Sequence, residues 1–291
     1  MLTGIRGRAK EGGRRLAAVL GQWLGRTSGG GSKTPIFIVG CQRSGTTMSM
    51  RVLGNCPQIK VYGEGNKAAF SEGVRVRSAA TLRSLVRNSR EPIVVFKPIN
   101  DTQNTDKLLQ IQPNAKAVWI YRHFHDVVNS MVQKWGDIQK RAVHQIATGT
   151  YSGPGAEALG ERISPSNLAL ARKLDDRGLS AYDAAAFIWF LRNSIYFDLK
   201  LDTRSDVLLC NYEGMVANPE WYFRRVFTFV GGEFSSRYVA DVLSSSVQKS
   251  DAPAIDAEIM HLCEGLMNRI NEQHRLQLEM EQANTSAVKS A

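Results

Sequence analysis

Apolar residues along this chain gather in short unbroken runs, and between the runs they recur every three or four positions. The runs fall at residues 36–39 (IFIV), 93–96, 117–121 and 207–210. Four or five apolar residues without polar alternation suit a strand covered on both faces. The stretches between them predict a helix just after Ser44 and others over 126–135, 180–201, 219–230 and 255–279. Strands alternating with helices predict an α/β fold in one domain, with a central parallel sheet flanked by helices on both faces.

The same pattern sets the expected boundaries. TSGGGSK at 27–33 reads as a flexible linker. Residues 1–33 are therefore expected to be a basic tail and linker, 34–279 the domain, and 280–291 a flexible end. Between 136 and 178 the periodicity weakens, and TGTYSGPG and RISPSN interrupt it. That segment is expected to be an insertion passing over the acceptor side of the active face, since connections of this length are commonly functional or mobile.

At 291 residues, 43% of them hydrophobic, the chain can bury a substantial core. Its net charge of +10 points to anionic partners. More than half of that excess precedes Thr34, where Arg6, Arg8, Lys10, Arg14, Arg15, Arg26 and Lys33 face a single Glu11. The domain itself is only mildly basic, which argues against a nucleic-acid surface and for one or two local anion sites. Leu16, Leu20, Trp23 and Leu24 share one helical face flanked by arginines, so residues 1–26 are either a peripheral membrane contact or a solvated basic tail. No run approaches the ~20 apolar residues of a membrane span. Glycines and arginines also cut short any signal-peptide core in the tail. Cys41, Cys56, Cys210 and Cys263 form no CxxC pair and the histidines no metal spacing, so no metal site is expected. These features favour a cytoplasmic location, peripheral to the inner membrane if the tail binds there.

The first predicted strand runs into GCQRSGTT, Gly40 to Thr47, and then into a helix. A G-x-x-x-x-G turn at that junction points backbone N–H groups inward, and the helix dipole adds positive potential. In a nucleoside triphosphatase a lysine follows the second glycine and the next hydroxyl holds magnesium. Here Thr46 stands in the lysine's place, and the cation is three residues earlier, at Arg43. A phosphosulfate carries less charge than a polyphosphate and needs no obligatory metal, so amides, hydroxyls and one cation suffice for it. Downstream, VWIYR ends at Arg122, and Ser130 lies eight residues further on along the next helix. An arginine at a strand's carboxyl end and a serine on the following helix can converge on one phosphate.

On these residues the chain resembles the 3′-phosphoadenosine 5′-phosphosulfate (PAPS)-dependent sulfotransferases, in their Golgi-type and tyrosylprotein branch, from Pro35 to about Ile270. The resemblance implies a P-loop-type fold, PAPS as co-substrate without a metal, and a hydroxyl-bearing acceptor. It implies that Cys41, Gln42, Arg43, Ser44, Gly45, Thr46 and Thr47 form the phosphosulfate loop and that Arg122 and Ser130 hold the 3′-phosphate. Lys134, one turn beyond Ser130, would add charge there. Tyr212, in the segment NYEGMVANPEWYFRRVFTFVG, would approach the adenosine. Lys249, in SSSVQKS, would contact a phosphate from a late loop. In that branch a glycine-glutamate pair after the first helix and a return strand supplies the base, which makes Glu64 the candidate here, one residue later than the pattern. Cytosolic relatives use a histidine after the next strand; this chain has FKPIN there, with Lys97 in reach of the transferred group. The reaction implied is direct in-line transfer with Glu64 as base and Arg43 and Lys97 as stabilising cations. The acceptor class suggested by analogy is an envelope carbohydrate or glycolipid. The alternatives are an ATP- and magnesium-dependent small-molecule kinase, which lacks its lysine here and finds Asp101 and Asp206 poorly placed, and a non-catalytic nucleotide-binding adaptor.

Overall fold

Side chains alternate across a strand, and this decides how the sheet is covered. In β1 (Thr34–Gly40), Ile36 and Ile38 face one layer and Phe37 and Val39 the other, and all four are fully buried. β2 (Ile59–Tyr62), β3 (Ile93–Phe96), β4 (Lys116–Tyr121) and β5 (Val207–Asn211) complete a parallel sheet in the order β2-β3-β1-β4-β5. Ile36 pairs with both Val95 and Lys116 across the centre of the sheet. In this computed structural model, residues 32–71, 74–150, 155–242 and 251–290 are described. The amphipathic stretch of the tail and Lys249 lie outside the described residues.

Ten α-helices are described: α1 (Thr46–Gly54), α2 (Ala79–Asn88), α3 (Thr105–Leu109), α4 (Phe124–Trp135), α5 (Ile138–Thr148), α6 (Pro165–Arg177), α7 (Ala181–Asp198), α8 (Tyr212–Ala217), α9 (Pro219–Val230) and α10 (Ala257–Ser290). One layer of core joins Phe37, Val39, Trp119 and Leu209 to α4, α5, α7 and α10. The opposite layer joins Ile38, Val95, Ile120 and Leu208 to α1 and α9. The sheet is covered on both sides, as the unbroken apolar runs required. α7 is buried around its whole circumference through Ala184, Phe187, Trp189 and Ile195, and a capping box of Ser180 and Asp183 starts it.

β5 is an edge strand, and an open edge leaves backbone groups unpaired. α10 closes this one with a side chain: Gln277 accepts from the Leu209 N–H at 2.9 Å and donates to the Val207 carbonyl at 3.0 Å. α10 therefore has a structural reason to run past β5. It continues to Ser290, where the sequence reading ended the helix at 279 and expected a loose tail.

The segment 136–178 is more regular than its weak periodicity suggested. It forms α5 and α6, which pack against each other, and α5 also packs against α7. α5 buries Gln139, Ala142, Val143, Ile146 and Ala147, a helical i, i+3, i+4, i+7, i+8 set. RISPSN is not an interruption but a helix start. Ser164 caps α6 by accepting from the Asn167 N–H, and Pro165 occupies the first turn, where its missing N–H costs nothing.

Candidate functional site

Each strand delivers a polar residue or a turn from its carboxyl end, the edge where open α/β sheets bind ligands. β1 leads into the Gly40 loop, β2 into Glu64, β3 into Lys97, β4 into Arg122 and β5 into Tyr212. The two layers of core fix the strands, so these positions are set by the sheet register.

Gly40 has φ +130°, and a Cβ there would stand 2.2 Å from the Ile120 carbonyl oxygen. Only glycine lets the loop lie this close to β4. Thr102 braces the same residue, accepting from the Gly40 N–H at 3.3 Å. Arg43 adopts φ +67° without being glycine, a strained conformation that the turn holds in place. Gly45 follows at φ +89°, and a Cβ on it would fall 2.3 Å from the Tyr212 ring. α1 then begins with no side-chain cap on its first N–H groups, which leaves the helix end suited to an anion. Ser44 Oγ and Gln42 Oε1 are buried without a hydrogen-bond partner among the described residues, while Gln42 Nε2 donates to Asn100 Oδ1 at 3.1 Å. A turn with an uncapped helix end and unsatisfied polar atoms fits an anionic group. Cys41 contributes backbone only: its side chain is fully buried in the core, and burial pushes its thiol up to about 12.

Arg43, Ser130, Arg122 and Tyr212 form a continuous group beside the loop. Arg43 donates to Ser130 Oγ at 2.9 Å, and Arg122 donates to the Arg43 carbonyl at 3.3 Å. The Arg122 guanidinium lies 4.5 Å from the centre of the Tyr212 ring and pairs with Asp126 at 2.8 Å. Arg122 and Ser130 are thus both within one side chain of the loop. Glu213 is a strut between strand ends, accepting from the His123 N–H at 3.0 Å and from Asn211 at 2.8 Å.

On the other side of the loop, the Lys97 ammonium donates to Glu64 Oε2. The lysine is nearly buried and the carboxylate is about three-quarters covered, with 8% and 23% of their side chains exposed. This pair opens into a cavity of about 450 Å³ that Gln42, Arg43, Thr46 and Thr47 also line. Its far wall comes from α4 and α5: Lys134, Trp135, Ile138, Gln139, Arg141 and Ala142. Glu64, Arg43, Lys97 and the loop threonines therefore share one cavity, while Cys41, Ser44, Gly45, Arg122, Ser130 and Tyr212 do not line it. Lys134 faces this cavity together with Glu64. Asn100, Thr102 and the α5 residues were missed in the sequence; the helical spacing of Gln139, Ala142 and Val143 was the signal for the last of these.

The fold is a P-loop-type α/β fold, with a tight glycine-bearing turn leading into an uncapped helix after β1. Residues 35–92 match the model of the Sulfotransferase family. None of the curated proteins compared with it matches. Among solved structures, a sulfotransferase from Alicyclobacillus acidocaldarius superposes with TM-score 0.50 at 13% identity, covering 86% of this chain and 97% of that one. That similarity shows the fold. The sulfotransferase domain of the Synechococcus PCC 7002 olefin synthase aligns with TM-score 0.47 and 14% identity over 82% of this chain and 96% of its own. A mouse sulfotransferase complexed with PAP aligns with TM-score 0.40 and 19% identity, over 78% of this chain and 70% of that one. Among the described residues, no helix is long and apolar enough to cross a membrane.

Proposed function

We propose that the protein moves the sulfuryl group of PAPS to an acceptor hydroxyl by direct in-line transfer. The observation that carries this reading is the meeting of the Lys97–Glu64 pair with the Arg43 loop in one cavity. A carboxylate, two cations and an anion-binding turn lacking the triphosphate lysine suit sulfuryl transfer.

In this reading the amides and hydroxyls of residues 44–47, with Arg43, hold the phosphosulfate. Arg122 and Ser130 hold the 3′-phosphate, Tyr212 lies against the adenosine, and Lys249 reaches a phosphate. The acceptor oxygen attacks sulfur while its proton passes to the Glu64 carboxylate. The new O–S bond forms as the S–O bond to the bridging oxygen breaks, and that oxygen leaves on adenosine 3′,5′-bisphosphate. Arg43 and Lys97 stabilise the oxygens on which charge develops. Lys97 now holds Glu64; turning toward the bridging oxygen would leave the carboxylate free for the acceptor's proton. The acceptor proposed is a carbohydrate or glycolipid hydroxyl, met on the α5 side of the cavity by a cytoplasmic enzyme whose residues 1–26 contact a membrane surface.

Glu64→Gln tests the base. Turnover, followed as bisphosphate release with a panel of hydroxyl acceptors, should fall by ~10²-fold or more, with affinity for adenosine 3′,5′-bisphosphate kept. Full activity in this variant would remove Glu64 from the mechanism.

A further inference from the structure

The cavity has a charge imbalance that sulfuryl transfer from PAPS does not use up. Among the described residues, Arg43, Lys97, Lys134 and Arg141 line it against one carboxylate, Glu64, and that carboxylate is already engaged by Lys97. A phosphosulfate brings one ionised oxygen on phosphorus and one on sulfur, and Arg43 and Lys97 stand at the strand edge to meet them. Lys134 and Arg141 belong to the opposite wall. Both are exposed, and among the described residues neither forms an ion pair. Between them, Trp135 is half-buried and Ile138 is 43% exposed, a large apolar surface left open at the cavity wall. Ile138, Arg141 and Ala142 recur at helical spacing on α5, so one face of that helix presents apolar and cationic groups together.

Resting on the sulfotransferase reading above, we infer that the acceptor is anionic: a hydroxyl-bearing ring that carries its own carboxylate or comparable acid group. The ring lies on Trp135 and Ile138, and Arg141 with Lys134 binds the acid group. The two cations have a second consequence. A neutral acceptor would leave them unused, whereas an anionic one would otherwise be repelled by the bound donor; cations at the wall remove that repulsion and attract the acceptor from solution. Arg141 and Lys134 are thereby specificity-determining residues.

The test uses the full chain saturated with adenosine 3′,5′-bisphosphate and a matched pair of probes, 4-nitrophenyl β-glucuronide and 4-nitrophenyl β-glucoside, titrated by calorimetry. The glucuronide should bind ~10-fold more tightly at low salt, and the advantage should shrink as ionic strength rises. Arg141→Ala should reduce that preference and Arg141→Glu should abolish it. Both variants should keep the wild-type affinity for the bisphosphate, which also reports that they are folded. Equal binding of the two probes, a preference for the glucoside, binding of neither, or a preference that survives Arg141→Glu would overturn the inference. Failure of the bisphosphate itself to bind, read in the first titration, would instead overturn the sulfotransferase reading, and the inference with it.

Discussion

The two walls of the cavity are built by different means. The strand-edge wall takes Arg43, Glu64 and Lys97 from the carboxyl ends of a doubly covered sheet, and hydrogen bonds hold them: Lys97 to Glu64, Arg43 to Ser130 on α4, and, behind the wall, Arg122 to Asp126 and the Arg43 carbonyl. The α4–α5 wall presents Lys134, Ile138 and Arg141 as exposed side chains, among which no ion pair is described. Chemistry at the first wall depends on position, and the sheet register sets it. Recognition at the second depends on surface character, which a helix can change one residue at a time without disturbing the sheet.

This contrast can be broken by substitution. The largest effect expected is the loss of ~10²-fold or more in turnover for Glu64→Gln, with nucleotide affinity retained. Next is Gly45→Ala, which places a Cβ 2.3 Å from the Tyr212 ring at φ +89°. It should lower stability by ~2 kcal/mol or displace the loop, and chemical denaturation together with bisphosphate titration would record either result. Wild-type behaviour in both would mean that the contact between loop and Tyr212 is not fixed. The smallest is Ser164→Ala, which removes the cap of α6. It should cost ~1 kcal/mol of stability and leave bisphosphate affinity unchanged, because α6 packs on α5 and not on the strand edge. A loss of donor affinity in that variant would show that the two walls are coupled.

How far the sequence announced each wall follows from the same physics. The runs at 36–39, 93–96, 117–121 and 207–210 were legible because double burial leaves no room for polar residues, and the loop was legible because GCQRSGTT is short and local. Lys97 and Arg122 could be placed because each follows directly on an apolar run, whereas Glu64 and Tyr212 were named from the family resemblance. The α5–α6 region was harder to read. Its helical face is made partly of small and polar residues, Gln139, Ala142 and Ala147, that carry little weight in a hydrophobic pattern. Ser164 and Pro165 were read as a break when they start a helix, since the same residues serve both in turns and at helix N-termini. No local pattern encodes that Arg43 will meet Ser130 or that Gln277 will close the edge of β5, because both contacts join segments far apart in the chain.

The central claim is that the strand edge binds a 3′-phosphorylated adenosine nucleotide. The direct measurement is calorimetric titration of the full chain with adenosine 3′,5′-bisphosphate and, separately, with ATP and magnesium, repeated on Arg122→Ala with its thermal midpoint recorded alongside. The account predicts a clear preference for the bisphosphate in the native chain and its loss in a variant that remains folded. Preference for ATP, or an unchanged affinity for the bisphosphate in Arg122→Ala, would contradict it.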